Sequence, residues 1–487
     1  MGNRMHEGKA LVDALARRFG ARVIETHISW VIVCADRVYK LKKPLRTAFL
    51  DYSTPELRER FCKEEVRVNQ AMAPSLYLGV VRITGSAAAP EIDGPGPVLD
   101  HAVSMRRFPD GALFSERMAA DTLTATDVDA FAAMLAAVHS RSPRLQRGGG
   151  GQRAPTHRRA LAALEGAGPL FSEAQAQHLR QWLDEGARML LPAWRERRRG
   201  GHVRECHGDL HLANVLMLDG RPAAFDAVEF DPALRWIDVA EDAAFPAMDF
   251  AARGRPDLCW RFLNAWLDAT GEHASAGVLR YALVYRALVR AQVERLRTEG
   301  AGPAAAYAAA ALDWSRPAVP RLVITHGLPG SGKTFQSQAL IEQQGAIRVR
   351  SDVERKRLFG MGALESSRAR GVDIYSGPAT EKTYARLFEL AGQVLDAGFS
   401  AVIDAAFLRR SERDAARELA RRRGVGFEIL ACEAPEATLR QRLASRKADA
   451  SEADAFVLRR LAAAVEPLTP EERAAIQMDD HPRHASR

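Results

Sequence analysis

Residues 327–334 read GLPGSGKT and leave few folds open to this part of the chain. An apolar run precedes the segment and a helical pattern follows it, which predicts a strand, a glycine-rich loop and a helix. Glycines let several backbone N–H groups converge on phosphate oxygens, and the helix amino terminus adds its dipole. The pattern predicts a phosphate-binding loop; a glycine-rich turn without nucleotide is the alternative. The predicted nucleotide-binding residues are Gly327, Gly330, Ser331, Gly332, Lys333 and Thr334.

Two side chains of this loop have specific expected contacts. Lys333 is expected to reach the β- and γ-phosphates of the nucleotide, and Thr334 to ligate Mg²⁺. Lysine is scarce in this sequence, where arginine supplies most of the positive charge, so a lysine at this position is informative. We therefore count Lys333 among the expected catalytic residues as well.

Helices and short apolar runs alternate after the loop. The runs at 346–350, 400–404 and 427–432 have the length and composition of buried strands. Alternation of this kind predicts a parallel sheet flanked by helices. We therefore expect an α/β P-loop NTPase domain over 320–487.

Charged residues lie at the predicted strand ends of this domain. Asp352 follows the second strand, Asp404 ends the third, and Arg442 and Arg446 lie one helical turn apart. Together with the phosphate loop, these residues resemble the small-molecule and polynucleotide kinase branch of P-loop proteins. That branch includes phage polynucleotide kinase, gluconate kinase and chloramphenicol phosphotransferase, and the resemblance covers about 320–470.

This resemblance implies a role for each charged residue. Asp352 would be the base that orients a substrate hydroxyl, Arg355 would contact the substrate or its phosphate, and Asp404 would hold the Mg²⁺ shell. Arg442 and Arg446 would belong to a lid. Catalysis of this kind consists mostly of positioning and charge neutralisation. The alternatives are a helix N-cap for Asp352 and ordinary helix-surface charges for the two lid arginines.

A second motif, HGDLHLAN at 207–214, lies in the amino-terminal half and is followed by Phe225 and Asp226. It resembles the catalytic core of the aminoglycoside phosphotransferase and choline kinase branch of the protein-kinase-like fold. The resemblance implies that Asp209 is the base and that Asn214 and Asp226 are metal ligands. The short step from Asp209 to Asn214 lets one loop present both a proton acceptor and a metal-ligating amide oxygen.

A kinase of this shape also needs a strand lysine on the nucleotide phosphates and a helical glutamate that holds it. Lys40 in a predicted strand and Glu65 in the next predicted helix fit these positions. Lys42 shares the strand face with Lys40, and Glu64 is an alternative to Glu65. A surface salt bridge is the structural alternative for the pair. The four required parts occur in chain order, which supports the kinase-like interpretation more than any one part does.

Other residues near these motifs have open interpretations. The segment 25–30, where protein kinases place a glycine-rich loop, contains no glycine. Thr26 and Ser29 either donate to phosphates or close the strand turn. Residues 105–108 fall where an inter-lobe hinge would bind adenine through backbone groups.

Five acidic residues follow Asp226 within residues 229–242. They either help to bind a cationic substrate or brace the catalytic loop, and the i, i+4 spacing of Asp238 and Asp242 suits bracing. We expect His207 to orient the catalytic aspartate through a hydrogen bond rather than to act as a base.

Composition restricts the classes of partner and compartment. The chain is 47% hydrophobic and 27% charged, which is globular usage. Its net charge of +8 is spread along the chain without a basic tail, so nucleic acid is an alternative partner that is not favoured. The five cysteines lack disulfide or zinc spacing. No apolar run is long enough to span a membrane, so we expect a cytoplasmic protein without a membrane partner; no pattern indicates an oligomeric state.

These features predict a fusion of two domains. The first is an α+β bilobal protein-kinase-like domain at 1–298, with a small lobe at about 22–108 and a large lobe at about 109–298. An Ala- and Pro-containing connector at 299–319 precedes the P-loop domain at 320–487. The whole chain resembles bacterial proteins described as an aminoglycoside phosphotransferase-like domain joined to an AAA-family-type P-loop domain.

The resemblance implies an ATP-dependent phosphotransferase with two kinase-type sites that use ATP and Mg²⁺. Each site would transfer the γ-phosphate to a hydroxyl of a small molecule such as a sugar, an aminoglycoside or a nucleoside-like acceptor. In one alternative, the carboxy-terminal domain phosphorylates nucleic-acid 5′ ends. In another, the chain is a nucleotide-gated regulatory protein with an inactive kinase-like half.

Overall fold

A computed structural model describes residues 2–47, 50–145, 155–297, 302–445, 450–452 and 454–476. Residue contacts divide the chain into two compact units. Unit 1 comprises Met1–Gly151 and Arg195–Pro246, and unit 2 comprises Gln152–Trp194 and Ala247–Arg487.

The helices and strands follow one another along the whole chain. The first group is α1 (Gly2–Phe19), β1 (Arg22–Glu25), β2 (Ser29–Val33), β3 (Arg37–Lys42), α2 (Pro55–Asn69), β4 (Tyr77–Gly85), β5 (Pro90–Ile92), β6 (Val98–Arg106), α3 (Phe114–Ala119) and α4 (Ala125–Arg141). The second is α5 (Pro155–Ala167), α6 (Glu173–Arg199), β7 (Val203–Glu205), β8 (Val215–Leu218), β9 (Arg221–Ala224), α7 (Pro232–Arg235), β10 (Trp236–Asp238), α8 (Val239–Ala252), α9 (Pro256–Thr270) and α10 (Ala276–Arg297). The third is α11 (Gly302–Ser315), β11 (Arg321–His326), α12 (Lys333–Gln344), β12 (Ile347–Arg350), α13 (Ser351–Leu358), α14 (Gly377–Asp396), β13 (Ala401–Asp404), α15 (Arg410–Arg423), β14 (Gly426–Ala431), α16 (Glu436–Ser445), α17 (Ala455–Ala462) and α18 (Pro470–Ala474). Short 3₁₀ turns lie at Gly168–Leu170, Leu212–Asn214 and Glu272–Ser275.

Unit 1 contains a six-stranded antiparallel sheet in the order β1-β2-β3-β6-β4-β5. A tight turn pairs Val33 of β2 with Val38 of β3. Trp30 and Leu41 lie in the core of this sheet. Helix α2 packs against β4 and β6, and its N-cap is Thr54, whose hydroxyl accepts a backbone N–H of the first turn. The fold thus places predicted strand lysines on β3 and the predicted glutamates on α2.

The HGD motif lies in the remaining part of unit 1. Strand β7 pairs with β10, and the hairpin of β8 and β9 pairs Val215 with Ala224. The motif connects β7 to β8, and Asp226 follows the end of β9. Gly208 has a φ of +86°, and a Cβ at this position would lie 2.7 Å from the carbonyl oxygen of Leu234, so glycine is required here.

Unit 2 contains a four-stranded sheet in the order β12-β13-β11-β14, with every pairing parallel. Val323 of β11 and Val402 of β13 pack with Ile341 of α12 in its core. The predicted parallel sheet flanked by helices is confirmed. Because parallel strands place their carboxyl ends at one edge, this topology brings the GLPGSGKT loop, Asp352 and Asp404 to the same edge.

Unit 2 also contains helices from the middle of the chain. Helix α10 packs against α5 and α11, and α9 packs against α12 and β12. Helix α11, which occupies most of the predicted connector 299–319, buries Tyr307, whose hydroxyl donates to Asp249 Oδ1 over 2.6 Å. The helices within 247–297 therefore share a unit with 320–476, and the predicted domain boundaries stay a prediction.

None of the helices in the described part of the chain is long and apolar enough to cross a membrane.

Candidate active sites

The GLPGSGKT loop runs from β11 into α12 in a conformation that needs its glycines. Gly327, Gly330 and Gly332 have φ values of +147°, +84° and +100°. A Cβ on Gly327 would collide with the carbonyl oxygen of Cys432. Ser331 Oγ is buried and has no hydrogen-bond partner among the described residues, so it is an available donor at the loop. The loop therefore has the geometry of a backbone cradle for phosphate.

The two polar side chains at the start of α12 contact different groups. Lys333 Nζ donates to the carbonyl oxygens of Gly327 and Leu328, both over 2.9 Å. Thr334 Oγ1 donates to Asp404 Oδ2 over 2.9 Å, and Asp404 is the buried last residue of β13. A hydroxyl and a carboxylate side by side at a phosphate loop are the oxygen ligands that Mg²⁺ prefers, so these residues fit the ion.

A cleft of about 1450 Å³ opens beside this loop. It brings together most of the predicted residues of this site, namely Gly330, Ser331, Gly332, Lys333, Thr334, Asp352, Arg355, Asp404 and Arg442. Asp352 lies in the first turn of α13, whose N-cap is Arg350, so the N-cap alternative for Asp352 is wrong. Asp352 thus enters the cleft as a carboxylate across from the phosphate loop.

Arg355 is the most buried of the predicted cationic residues in the cleft. Its guanidinium donates to the carbonyl oxygen of Ile374 over 2.9 Å and lies 5.1 Å from the ring centre of Tyr375. It also contacts Thr380 Oγ1 at 3.3 Å. Its Nε is buried and has no hydrogen-bond partner in the described part of the chain.

The predicted lid arginines have different outcomes. Arg442, on α16, donates from Nη1 to the carbonyl oxygen of Gly330 over 3.1 Å and so contacts the phosphate loop directly. The alternative interpretation of Arg442 was an ordinary charge on the helix surface. A hydrogen bond to the phosphate loop is a more specific contact than that interpretation requires. Arg446 lies outside the described residues.

In unit 1, Lys40 and Lys42 of β3 both contact Glu65 of α2. Lys40 Nζ donates to Glu65 Oε1 over 2.9 Å and also pairs with Asp226. Lys42 Nζ donates to Glu65 Oε2 over 2.7 Å and also pairs with Glu229. Both lysines thus contact the predicted glutamate, and of the two only Lys40 also pairs with Asp226 among the contacts of the described residues.

Charges control the protonation of this cluster. Burial raises the pKa of Glu65, but the ammonium groups of Lys40 and Lys42 outweigh it and bring the pKa to about 2. Burial lowers the pKa of Lys40, but Asp226 and Glu65 outweigh it and hold the pKa well above its usual value. Glu64 instead pairs with Arg67 over 2.7 Å and with Arg235, so Glu64 is not the lysine partner.

The HGD loop is held by hydrogen bonds at its amino-terminal end. Asp242 Oδ1 accepts the Gly208 N–H over 2.9 Å, and its Oδ2 accepts the His207 N–H over 3.3 Å. His207 Nδ1 accepts the Asp209 N–H over 3.2 Å, so its Nε2 donates to the Phe225 carbonyl over 2.8 Å. The expected orienting role of His207 and the bracing alternative for Asp242 both match these contacts.

The predicted metal ligands of unit 1 lie around this loop. Asn214 Nδ2 donates to the carbonyl oxygen of Asp209 over 2.9 Å, which fixes the orientation of the amide. Asp226 has a φ of +62°, and its N–H donates to the hydroxyl of Tyr77 over 3.1 Å. An amide oxygen and a carboxylate fit Mg²⁺. Asp209 Oδ2 lies 3.6 Å from His211 Nε2.

The structure also shows the contacts of Thr26 and Ser29 and of the acidic residues that follow Asp226. Thr26 Oγ1 accepts the Ser29 N–H over 3.0 Å, and the Thr26 N–H donates to the Ser29 carbonyl over 2.9 Å, so these residues close the turn between β1 and β2. Asp238 accepts two hydrogen bonds from Arg197, from Nε to Oδ2 over 2.7 Å and from Nη2 to Oδ1 over 2.8 Å. Asp238 and Glu229 are thus held in ion pairs within unit 1.

Comparison with known proteins places the chain among its relatives. It is 31% identical over 456 residues to the uncharacterized protein Rv2004c of Mycobacterium tuberculosis, covering 91% of this chain and 89% of the relative. The chain belongs to the family of this mycobacterial protein. An uncharacterized protein of Mycobacterium bovis matches this family member with the same identity and coverage. A sequence model described as an AAA domain matches residues 322–468.

Solved structures similar to parts of this family member include two kinases. A choline/ethanolamine kinase family protein from Mesorhizobium loti is 12% identical to this chain, with a TM-score of 0.38. The match covers 63% of this chain and 93% of the Mesorhizobium chain. A sugar kinase from Janibacter sp. HTCC2649 is 24% identical to this chain, with a TM-score of 0.25. The match covers 31% of this chain and 82% of the sugar kinase chain. The match at 322–468 agrees with the predicted AAA-type P-loop domain in the carboxy-terminal part of the chain.

Several residues of the two sites carry no sequence signal that reveals them. Tyr375 and Tyr384 line the cleft of unit 2 from a loop and from α14. Glu412, which also lines this cleft, has a pKa raised by burial. In unit 1, Tyr52 Oη donates to Glu229 Oε1 over 2.5 Å and the Tyr52 ring lies 4.9 Å from Lys42 Nζ.

Proposed function

We propose that this protein is an ATP-dependent phosphotransferase with two kinase-type sites, one in each unit. The observation that carries the proposal is the cleft of unit 2, where Lys333, the Thr334–Asp404 pair and Asp352 line one space. A phosphate cradle, a magnesium ligand pair and a carboxylate base are the parts that phosphoryl transfer to a hydroxyl requires.

In the unit 2 site, the loop amides and Lys333 would hold the β- and γ-phosphates of ATP. Thr334 and Asp404 would hold Mg²⁺, which neutralises charge on the phosphates when bound. Asp352 would accept a hydrogen bond from the acceptor hydroxyl and take its proton as the acceptor oxygen bonds to the γ-phosphorus and the bond from that phosphorus to ADP breaks. Arg355, which lines the cleft, would contact the acceptor or its phosphate, and Arg442 would stay on the loop at Gly330.

In the unit 1 site, Lys40 would bind the nucleotide phosphates while Glu65 holds its ammonium group in place. Asn214 and Asp226 would ligate Mg²⁺, and Asp209 would orient the acceptor hydroxyl and accept its proton. For Lys40 to reach a phosphate it would have to share its ammonium group between the nucleotide and Asp226. The acceptors of both sites would be small molecules with hydroxyl groups, of the sugar, aminoglycoside or nucleoside class.

Two single variants test the proposal in the full-length protein. Lys333→Ala and Asp209→Ala are each assayed with γ-labelled ATP, Mg²⁺ and a panel of sugars, aminoglycosides and nucleosides. We expect each variant to lose one set of phosphorylated products and keep the other, with losses of about 100-fold or more for a removed base. Lys382→Ala and Asp110→Ala, which change exposed residues of the same types, are the matched controls.

The outcomes separate the proposal from its alternatives. If both variants keep wild-type phosphoryl transfer, the two-site proposal is wrong. If only Lys333→Ala reduces transfer while the unit 1 site binds nucleotide without making product, the kinase-like half is regulatory. If the unit 2 product is a 5′-phosphorylated oligonucleotide rather than a small molecule, the acceptor class is wrong.

A further inference from the structure

The edge strand of the unit 2 sheet is covered by side chains from α9 and the turn that follows it. Asn264 Nδ2 donates to the carbonyl oxygen of Ala346 over 2.9 Å, and its Oδ1 accepts the Arg348 N–H over 2.6 Å. His273 Nε2 donates to the carbonyl oxygen of Arg348 over 3.1 Å. These bonds satisfy backbone groups that an edge strand would otherwise expose. The strand β12 is thus held by helix α9 on the side away from β13.

The side chain of Arg348 connects this helix to the phosphate loop. It is buried, with 4% of its surface exposed, and its Nη1 lies 3.2 Å from both the carbonyl oxygen of Thr334 and Ser337 Oγ. Its Nη2 lies 3.7 Å from Asp268 Oδ2, near the end of α9. Arg348 therefore contacts the first turn of α12 with one nitrogen and α9 with the other.

A second arginine on the same strand extends the connection to the other predicted magnesium ligand. Arg350 Nη1 lies 3.6 Å from Asp268 Oδ2, and its Nε lies 4.0 Å from Asp404 Oδ2. One carboxylate, Asp268, thus faces two guanidinium groups that reach Thr334 and Asp404 respectively. Both arginines lie close enough to the Thr334–Asp404 pair for their position to affect it.

We propose that Asp268 is a positioning residue for the Mg²⁺·ATP site of unit 2, an inference that rests on the proposed function. Asp268 attracts the guanidinium of Arg350 and so keeps its Nε 4.0 Å away from Asp404 Oδ2. Without the charge of Asp268, the guanidinium of Arg350 moves onto Asp404 and competes with a cation for that carboxylate. Arg348 loses its second anchor at the same time, so the backbone of Thr334 is held less firmly.

The same pair of helices offers a matched control contact. Arg261 Nη1, on α9, donates to Glu342 Oε1, on α12, over 2.8 Å. This ion pair also ties α9 to α12, but it is partly exposed, and neither of its residues lies in the phosphate loop or in β12. Its removal loosens the contact between the two helices and leaves Asp268 in place.

The test uses the full-length chain with Lys40→Met, which under the proposed function removes the phosphate contact of the unit 1 site. Asp268→Asn, Asp268→Glu and Arg261→Gln are introduced into this background, and ATP affinity is measured calorimetrically with Mg²⁺ and with excess EDTA. We expect Asp268→Asn to raise the Kd for Mg²⁺·ATP by about tenfold, the usual effect of a lost outer-shell partner. The Kd for Mg²⁺-free ATP should change by less than about twofold, and Asp268→Glu should recover most of the loss.

The inference is overturned if Asp268→Asn binds Mg²⁺·ATP as tightly as Arg261→Gln does. It is also overturned if Asp268→Asn weakens binding equally with and without Mg²⁺, because that result indicates a general structural role. The measurement is of binding and needs no acceptor. A failure of the proposed function, seen as unchanged phosphoryl transfer in Lys333→Ala, is therefore distinguishable from a failure of this inference.

Discussion

The charge cluster of unit 1 combines two lysines with three carboxylates. Lys40 and Lys42 share Glu65, and each has a further acidic partner, Asp226 for the first and Glu229 for the second. The cluster carries one net negative charge when all five groups are ionised. Glu65 and Glu229 are buried, whereas the side chain of Asp226 is 44% exposed. Under the proposed function, a divalent cation bound by Asp226 would compensate this charge.

Lys42 has no exposed surface on its side chain, so its removal should be costly. Lys42→Met leaves Glu65 with one cation and Glu229 with none, and we expect a loss of about 3–5 kcal/mol in the free energy of unfolding. Urea unfolding followed by circular dichroism measures the change. Glu229→Gln added to Lys42→Met should recover part of the loss, because it removes the uncompensated charge.

Lys63→Met is the control for this prediction. Lys63 is 65% exposed and pairs with Glu59 one helical turn away, so its removal should leave the free energy of unfolding nearly unchanged. Equal effects of the Lys42 and Lys63 substitutions would show that the buried cluster contributes no more than a surface pair.

At the scale of elements, β12 is the strand whose surroundings matter most for the unit 2 site. It ends at Arg350, directly before α13 and Asp352, so its position determines where the expected base lies. Side chains of α9 and the following turn, Asn264 and His273, cap its free edge instead of another strand. Side-chain caps allow the sheet to stop at four strands without an exposed edge.

The cap formed by His273 should make the stability of unit 2 depend on pH. Burial lowers the pKa of His273 to about 4, below the value near 6.5 of an exposed histidine. The contribution of neutral His273 to the free energy of unfolding is fully present above about pH 6.5. It is lost as the pH falls towards 4, because in this range the histidine takes up a proton in the unfolded chain but not in the folded chain. We expect the residue to account for a loss of about 2 kcal/mol between pH 7 and pH 5.

Urea unfolding of wild type, His273→Gln and His178→Gln at these two pH values measures this contribution. His178 is an exposed residue of unit 2 and serves as the control. Between pH 7 and pH 5, the decrease in the free energy of unfolding should be about 2 kcal/mol smaller in His273→Gln than in wild type. In His178→Gln the decrease should equal that of wild type. Parallel losses in all three proteins would contradict the assignment.

At the scale of the whole molecule, local motifs could be predicted from sequence and long-range contacts could not. The phosphate loop and the HGD loop have residues close together in sequence, and their spacing identifies them. The parallel sheet could be predicted because apolar runs alternate with helices along the chain. The choice of Lys40 over Lys42 required three dimensions, because both lysines lie on one strand face. The bond from Asn264 to Ala346 joins residues 82 positions apart and leaves no local pattern.

The same long-range contacts decide how the chain can be divided. Sequence patterns predict a P-loop domain that begins at 320, whereas residue contacts group 320–476 with the helices of 247–297. A fragment that starts at 320 lacks Asn264, Asp268 and His273, so the edge of β12 is uncovered and Arg348 loses its partners on α9. Exposed strand edges favour association between chains.

We therefore expect the fragment 320–487 to differ from the full-length chain in two measurements. Its Kd for Mg²⁺·ATP should be at least about tenfold higher than that of full-length protein carrying Lys40→Met, because the contacts around Thr334 and Asp404 are incomplete. It should also unfold at lower temperature and self-associate in analytical ultracentrifugation, since β12 offers unpaired backbone groups. A monomeric fragment with the nucleotide affinity and melting temperature of the full-length chain would show that α9 contributes nothing to the site and that the boundary at 320 is correct.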